Sequence, residues 1–227
     1  MKSIRLLLSV VVLHWMLYAV ASAAALPDGF VYLEELAPGI LLDVRYFGQD
    51  NFVGARVDGY LAPRVILTRQ AAEALVRVQA QLEAFGLGLL VFDGYRPQRA
   101  VEHFQRWARD LQDVKTKPRY YPDVPKEELF VRGYIAARSS HSRGSTVDLT
   151  IVDRTTGTPL DMGSPFDFFG PVSWPSSMEV GADQRARRML LQTLMVGQGF
   201  KIYDQEWWHF TLKDEPFPET YHDFPVE

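Results

Sequence analysis

The sequence predicts an α+β fold in a single domain, with a central antiparallel sheet flanked by helices. Three observations carry that expectation. Three stretches have apolar residues at helical spacing, several short stretches read as strands, and the two kinds do not alternate in the regular order of a parallel βαβ sheet. No internal repeat or low-complexity tract interrupts the pattern.

Residues 40–47, "ILLDVRYF", read as a strand followed by a turn or loop in "DNFVG". From Thr68 to Phe85, the residues Ala71, Ala72, Leu75, Val78, Leu82 and Phe85 recur at helical spacing, and Gly86 follows as a stop. "LGLLVFDGY" is a short buried strand ending in a turn. A second helix starts at Pro97, a favoured first-turn residue, with Val101, Phe104, Ala108 and Leu111 on one face. Three prolines and many charges make residues 113–128 a loop. "STVDLTIVD" alternates, with Val147, Leu149 and Ile151 pointing one way and Thr146, Asp148 and Thr150 the other. After a loop-rich stretch comes a third helix from about Asp183 to Val196, closed by Gly197 and Gly199. "EWWHFTL" is a final aromatic strand.

The first 23 residues stand apart from the fold. Lys2 and Arg5 precede an apolar run from Leu6 to about Val20, and Ala21-Ser22-Ala23 fits the small residues before a secretory cleavage site. A retained anchor is the alternative, although the run is shorter than the roughly 20 residues a spanning helix needs. Residues 1–23 are therefore expected to be a signal peptide, which makes the mature protein, residues 24–227, periplasmic or secreted. It would have no stable membrane association after cleavage. The chain has no cysteine, which excludes both disulfides and lipidation at the cleavage site. Without the leader, 22 basic residues face 28 acidic ones, a formal charge of −6. A mildly acidic chain without a basic run is a poor partner for nucleic acid or anionic membranes.

Histidines are few. His103 falls between core positions of the second helix and His222 near a polar C-terminus, which leaves His141 and His209 in chemically richer company. His141 precedes a glycine turn into the strand carrying Asp148, so the two could share a cation. They could equally be a buried histidine and an acid that caps a loop or pairs with an arginine. "EWWH" places Glu206 three residues before His209. Two histidines and a carboxylate would make a three-ligand zinc site with room for water, and a nearby glutamate could serve as base. In an unbroken strand, residues three apart face opposite ways, so Glu206 is expected in the turn before the strand. An aromatic core strand with an incidental acid and histidine is the other reading. In "DGYRP", Arg96 sits between a strand end and a helix start, where it could hold an oxyanion or a substrate carboxylate, or be an ordinary surface arginine.

Taken in order, "LDVRYFGQDNFVG", "DGYRP", "SSHSRGSTVDLT", "DMGSPFDFF" and "EWWHF" resemble the zinc D-alanyl-D-alanine dipeptidases, the VanX-like branch of D,D-peptidase family M15. The motifs span about Leu42 to Phe210, most of the mature chain. The resemblance implies a D,D-peptidase/hedgehog-like domain and one zinc per chain on His141, Asp148 and His209. It implies Glu206 as catalytic base and Arg96 as the group that steadies the tetrahedral intermediate. Asp167 and Tyr46 would grip the free amino end of a small D,D-dipeptide substrate, and Ser140 would contact its carboxylate. Rival activities are a zinc D,D-carboxypeptidase or endopeptidase on longer stem peptides, and a non-catalytic zinc domain that binds wall fragments. Many members work in the cytoplasm, and an exported one points to salvage of wall dipeptides rather than to antibiotic resistance.

Overall fold

The computed structural model describes residues 25–227. The chain runs β1 (Phe30–Tyr32), α1 (Leu33–Leu36), β2 (Leu41–Leu42), β3 (Ile66–Thr68), α2 (Arg69–Glu83), β4 (Leu87–Asp93) and α3 (Gln98–Arg109). It continues through α4 (Lys117–Tyr120), β5 (Thr146–Asp153), α5 (Ala182–Gly197), β6 (Phe200–Tyr203) and β7 (Glu206–Leu212). The proposed signal peptide lies outside the described residues. None of the described helices is long and apolar enough to cross a membrane.

The architecture is the mixed α+β one expected, in a single domain. Five strands form one sheet in the order β2-β4-β5-β7-β6, while β1 and β3 pair in a small antiparallel ribbon beside it. Every pairing in the main sheet is antiparallel except β2 with β4, which is parallel, so the sheet is mostly rather than wholly antiparallel. Central β5 is buried from Thr146 to Val152, which is why its side chains are apolar on one face and uncharged or site-directed on the other. Helix α2 packs on β4, and α5 packs on β6 and β7. The helical spacing of "AAEALVRVQAQL" holds: Ala71, Ala72, Leu75, Val78 and Leu82 are all fully buried.

Several sequence expectations are corrected. The strand over 40–47 shrinks to Leu41–Leu42. Beyond it the Asp43 and Arg45 amides still reach the carbonyls of Val91 and Phe92, but the chain then turns, carrying Tyr46 inward. Phe85 lies past the end of α2 and is 78% exposed, and Leu111 lies past the end of α3 and is 50% exposed. Helical spacing continues on paper beyond the last hydrogen-bonded turn in both cases. The loop 113–128 contains α4 and a 3-10 turn at Lys126–Glu128. Strands β1, β3 and β6 were not anticipated, since three or four residues are too few to show a period.

Gly144 joins the turn Ser140–Arg143 to β5. Its φ of 83° is a left-handed conformation costly for other residues, and a Cβ there would collide with the ring of Phe30. Gly144→Ala is therefore expected to destabilise the protein by about 1–3 kcal/mol, the usual cost of overpacking, seen as a lower urea midpoint with an unchanged slope.

Candidate active site

The site forms where three elements meet on the polar face of β5. Asp148 points from that face, and its ladder partner on β7 is His209. His141 comes from the 3-10 turn just before β5, where the Ser139 hydroxyl accepts the His141 amide and caps the turn. The ends of this turn are fastened, because the His141 carbonyl accepts from both the Gly144 and Arg96 amides.

The three side chains converge. His141 Nε2 lies 3.3 Å from an Asp148 oxygen and 3.3 Å from His209 Nδ1, while His209 Nδ1 lies 3.1 Å from the other Asp148 oxygen. One ligand atom from each falls within 4.8 Å of the others. The outer nitrogens have other partners: His141 Nδ1–H donates to the Gly94 carbonyl at 2.7 Å, and His209 Nε2 lies 3.4 Å from Ser140 Oγ. A proton on His141 Nδ1 leaves the Nε2 lone pair aimed at the cluster, as a metal ligand requires. Asp148 Oδ1 is buried without a hydrogen bond, even though His209 Nδ1 is near, so a buried acceptor faces the gap between the rings. Two imidazole nitrogens, one carboxylate and no thiolate suit a divalent cation of the zinc type. Burial works against the charge on Asp148, but His141 and His209 outweigh it and hold its carboxyl below the usual range.

Glu206 begins β7 rather than preceding it, which corrects the expected placement in the turn. The ladder with β6 shifts register between Ile202 and Tyr203, so Tyr203 pairs with Glu206 and the intervening residues bulge. That irregularity lets side chains three apart share a face, and a Glu206 oxygen lies 3.5 Å from His209 Nδ1. Burial pushes the Glu206 carboxyl up to about 7, against the pull of His209.

Arg96 follows β4 and is largely buried. Its Nη2 is 3.4 Å from Asp148, and its guanidinium lies 5.0 Å from the Tyr46 ring. Asp167 is buried with φ of 62°, the one left-handed residue other than glycine among those described. Tyr46 Oη donates to its carboxylate, 3.0 and 3.2 Å from the two oxygens. Burial first, then the charge of Asp148, raise the Asp167 carboxyl well above its ordinary value, with Arg96 opposing. No cationic side chain among the described residues pairs with Asp167 within 4.0 Å.

All eight residues singled out from the sequence line one cavity of about 290 Å³, walled on one side by Phe52, Phe104 and Phe169. That is at the small end of ligand pockets, which start at roughly 300 Å³. His103 and His222 lie elsewhere. The sequence reading missed Asp93 and Tyr60. Asp93 is buried at the end of β4, bonded to Arg96 Nε at 2.9 Å and to Tyr60 Oη at 2.6 Å. An acid ending an apolar strand three residues before an arginine was the available signal for Asp93, whereas Tyr60 offered none.

A family model described as D-ala-D-ala dipeptidase, peptidase M15, matches residues 27–227. A protein of Streptomyces coelicolor named D-alanyl-D-alanine dipeptidase is 48% identical over 197 residues, covering 87% of this chain and 98% of its own. One of the same name from Enterococcus faecalis is 45% identical, covering 88% and 98%. Another from Escherichia coli is 32% identical, covering 80% of this chain and 83% of its own.

Proposed function

Because the chain belongs to the M15 family of D-Ala-D-Ala dipeptidases, we propose that it is a zinc metallopeptidase that splits D-alanyl-D-alanine into two D-alanines. The observation that carries the reading is the convergence, in one small cavity, of a two-histidine, one-carboxylate cluster with Glu206, Arg96 and an unneutralised buried aspartate.

His141, Asp148 and His209 would hold the zinc. Bound there, zinc would lower the pKa of its water toward about 7 and polarise the scissile carbonyl. The protein's own groups do the rest. Glu206 takes the proton from the attacking water and delivers it to the leaving nitrogen, so that as the C–O bond forms and the C–N bond breaks, the amine departs neutral. Arg96 offsets the negative charge on the former carbonyl oxygen. Asp167 and the Tyr46 hydroxyl receive the substrate ammonium, which replaces lost hydration with a charged partner and keeps the Asp167 carboxylate ionised. Ser140 lines the same cavity and would meet the other end of the substrate. Its hydroxyl reaches His209 as well, so we assign it both the carboxylate contact and the steadying of that ring.

The amino-end assignment makes a selective prediction. Asp167→Ala is expected to lower kcat/KM for the free dipeptide by at least about 10-fold, the effect of roughly 1.4 kcal/mol, since hydrogen bonds to charged groups contribute roughly 1.5–3 kcal/mol. Activity on N-acetyl-D-Ala-D-Ala should change far less. Equal losses on the two substrates, measured in parallel steady-state assays, would remove Asp167 from the amino subsite.

We further propose export and a role in recovering wall-derived dipeptides. The basic, apolar and small-residue order of positions 1–23 supports this, and a reporter fused after residue 30 that stayed in the cytoplasm would refute it.

A further inference from the structure

The Arg96 guanidinium is held through Nε and Nη2, by Asp93 and, at 3.4 Å from Nη2, by Asp148. Its Nε and Nη2 both lie 2.9 Å from the same oxygen of Asp93. Tyr60 Oη donates to the other Asp93 oxygen at 2.6 Å, so both carboxylate oxygens are occupied. Asp93 and Tyr60 are each 1% exposed, and neither belongs to the metal cluster. The rings of Tyr46 and Phe104 lie 5.0 and 5.2 Å from the guanidinium carbon. Among the described residues, Nη1 has no hydrogen-bond acceptor, while Arg96 lines the cavity. A guanidinium on a long side chain loses rotamer freedom when ordered, and fixing it before the substrate arrives removes that cost from the reaction.

We propose that Asp93, braced by Tyr60, is a positioning residue that orients Arg96 so that its unpaired Nη1 meets the oxyanion as it forms. The proposal rests on the role given to Arg96 above. Charge neutralisation alone does not account for Asp93, because Asp148 already supplies a negative charge 3.4 Å from Nη2. Asp93 also approaches His141 Nδ1 to 3.5 Å, but the hydrogen bond of that nitrogen goes to the Gly94 carbonyl at 2.7 Å.

The test is a double-mutant cycle on the zinc-loaded enzyme, with turnover expressed per bound metal. Asp93→Asn should lower kcat by roughly 10- to 100-fold, as loss of a supporting partner does, with little change in KM or zinc content. Tyr60→Phe, which removes one hydroxyl and leaves the ring packed, should lower kcat several-fold in the same way. In an Arg96→Ala background, Asp93→Asn should cost almost nothing further, because its effect passes through Arg96. Losses that multiply in the double variant, or a loss in Asp93→Asn that bound zinc fully explains, would overturn the proposal. Wild-type turnover in both Asp93→Asn and Tyr60→Phe would overturn the brace alone. Wild-type turnover in Arg96→Ala would instead overturn the role of Arg96, and the brace with it.

Discussion

Glu206→Ala is expected to keep its metal and to lose about 10²- to 10⁴-fold in kcat, the range that a positioned general base supplies. The carboxylate sits 3.5 Å from a proposed ligand but outside the group of three atoms that converge, so its removal leaves the donor set intact. What disappears is the proposed base, the group assigned to take a proton from water and return it to nitrogen. The wild-type pH profile should carry the same signature. Glu206 acts in its ionised form, so kcat/KM falls about tenfold per unit as pH drops below its pKa. Burial, only partly offset by His209, raises that pKa to about 7, and a divalent cation beside the carboxylate pulls it lower. The acid limb should therefore lie at or below pH 7 and be missing from the residual activity of Glu206→Ala. Full turnover in that variant, with zinc measured at one per chain, would remove Glu206 as the base.

His141→Ala separates binding from chemistry in the opposite direction. It deletes one of three donors, a side chain only 1% exposed, and the expected result is loss of the metal itself. The drop in affinity should exceed the roughly 100-fold that removal of a supporting partner costs. Equilibrium dialysis against a chelator, followed by metal analysis, reads this directly. Zinc retained at wild-type affinity would show that His141 is not a ligand. Paired with Glu206→Ala, it yields two inactive proteins that differ in metal content.

Much of this site was legible in the sequence because its residues cluster in short motifs, each tied to one element. His141 and Asp148 lie within eight residues on a turn and a strand, and the alternation of "STVDLTIVD" put Asp148 on the face where the cavity lies. The meeting of that strand with β7 was not legible, because strand order is decided by pairing between segments some sixty residues apart in sequence. The register shift that turns Glu206 toward His209 was hidden for the same reason. It depends on how β6 and β7 pair, and β6 is too short to announce itself. Asp93 was in plain view inside "DGYRP", yet its meaning came only from Tyr60, which arrives from a distant loop. The exposed Phe85 and Leu111 show the opposite error, where apolar spacing outlasts the helix that gives it meaning.

On the proposed reading, this cavity hydrolyses a free D,D-dipeptide with the help of a bound metal. The most direct measurement compares D-Ala-D-Ala, L-Ala-L-Ala and N-acetyl-D-Ala-D-Ala as substrates of the zinc-loaded protein, with a chelated control. Rapid release of D-alanine is expected from the first, little from the other two, and none after chelation. Equal hydrolysis of the blocked dipeptide, or activity that survives removal of the metal, would contradict this reading.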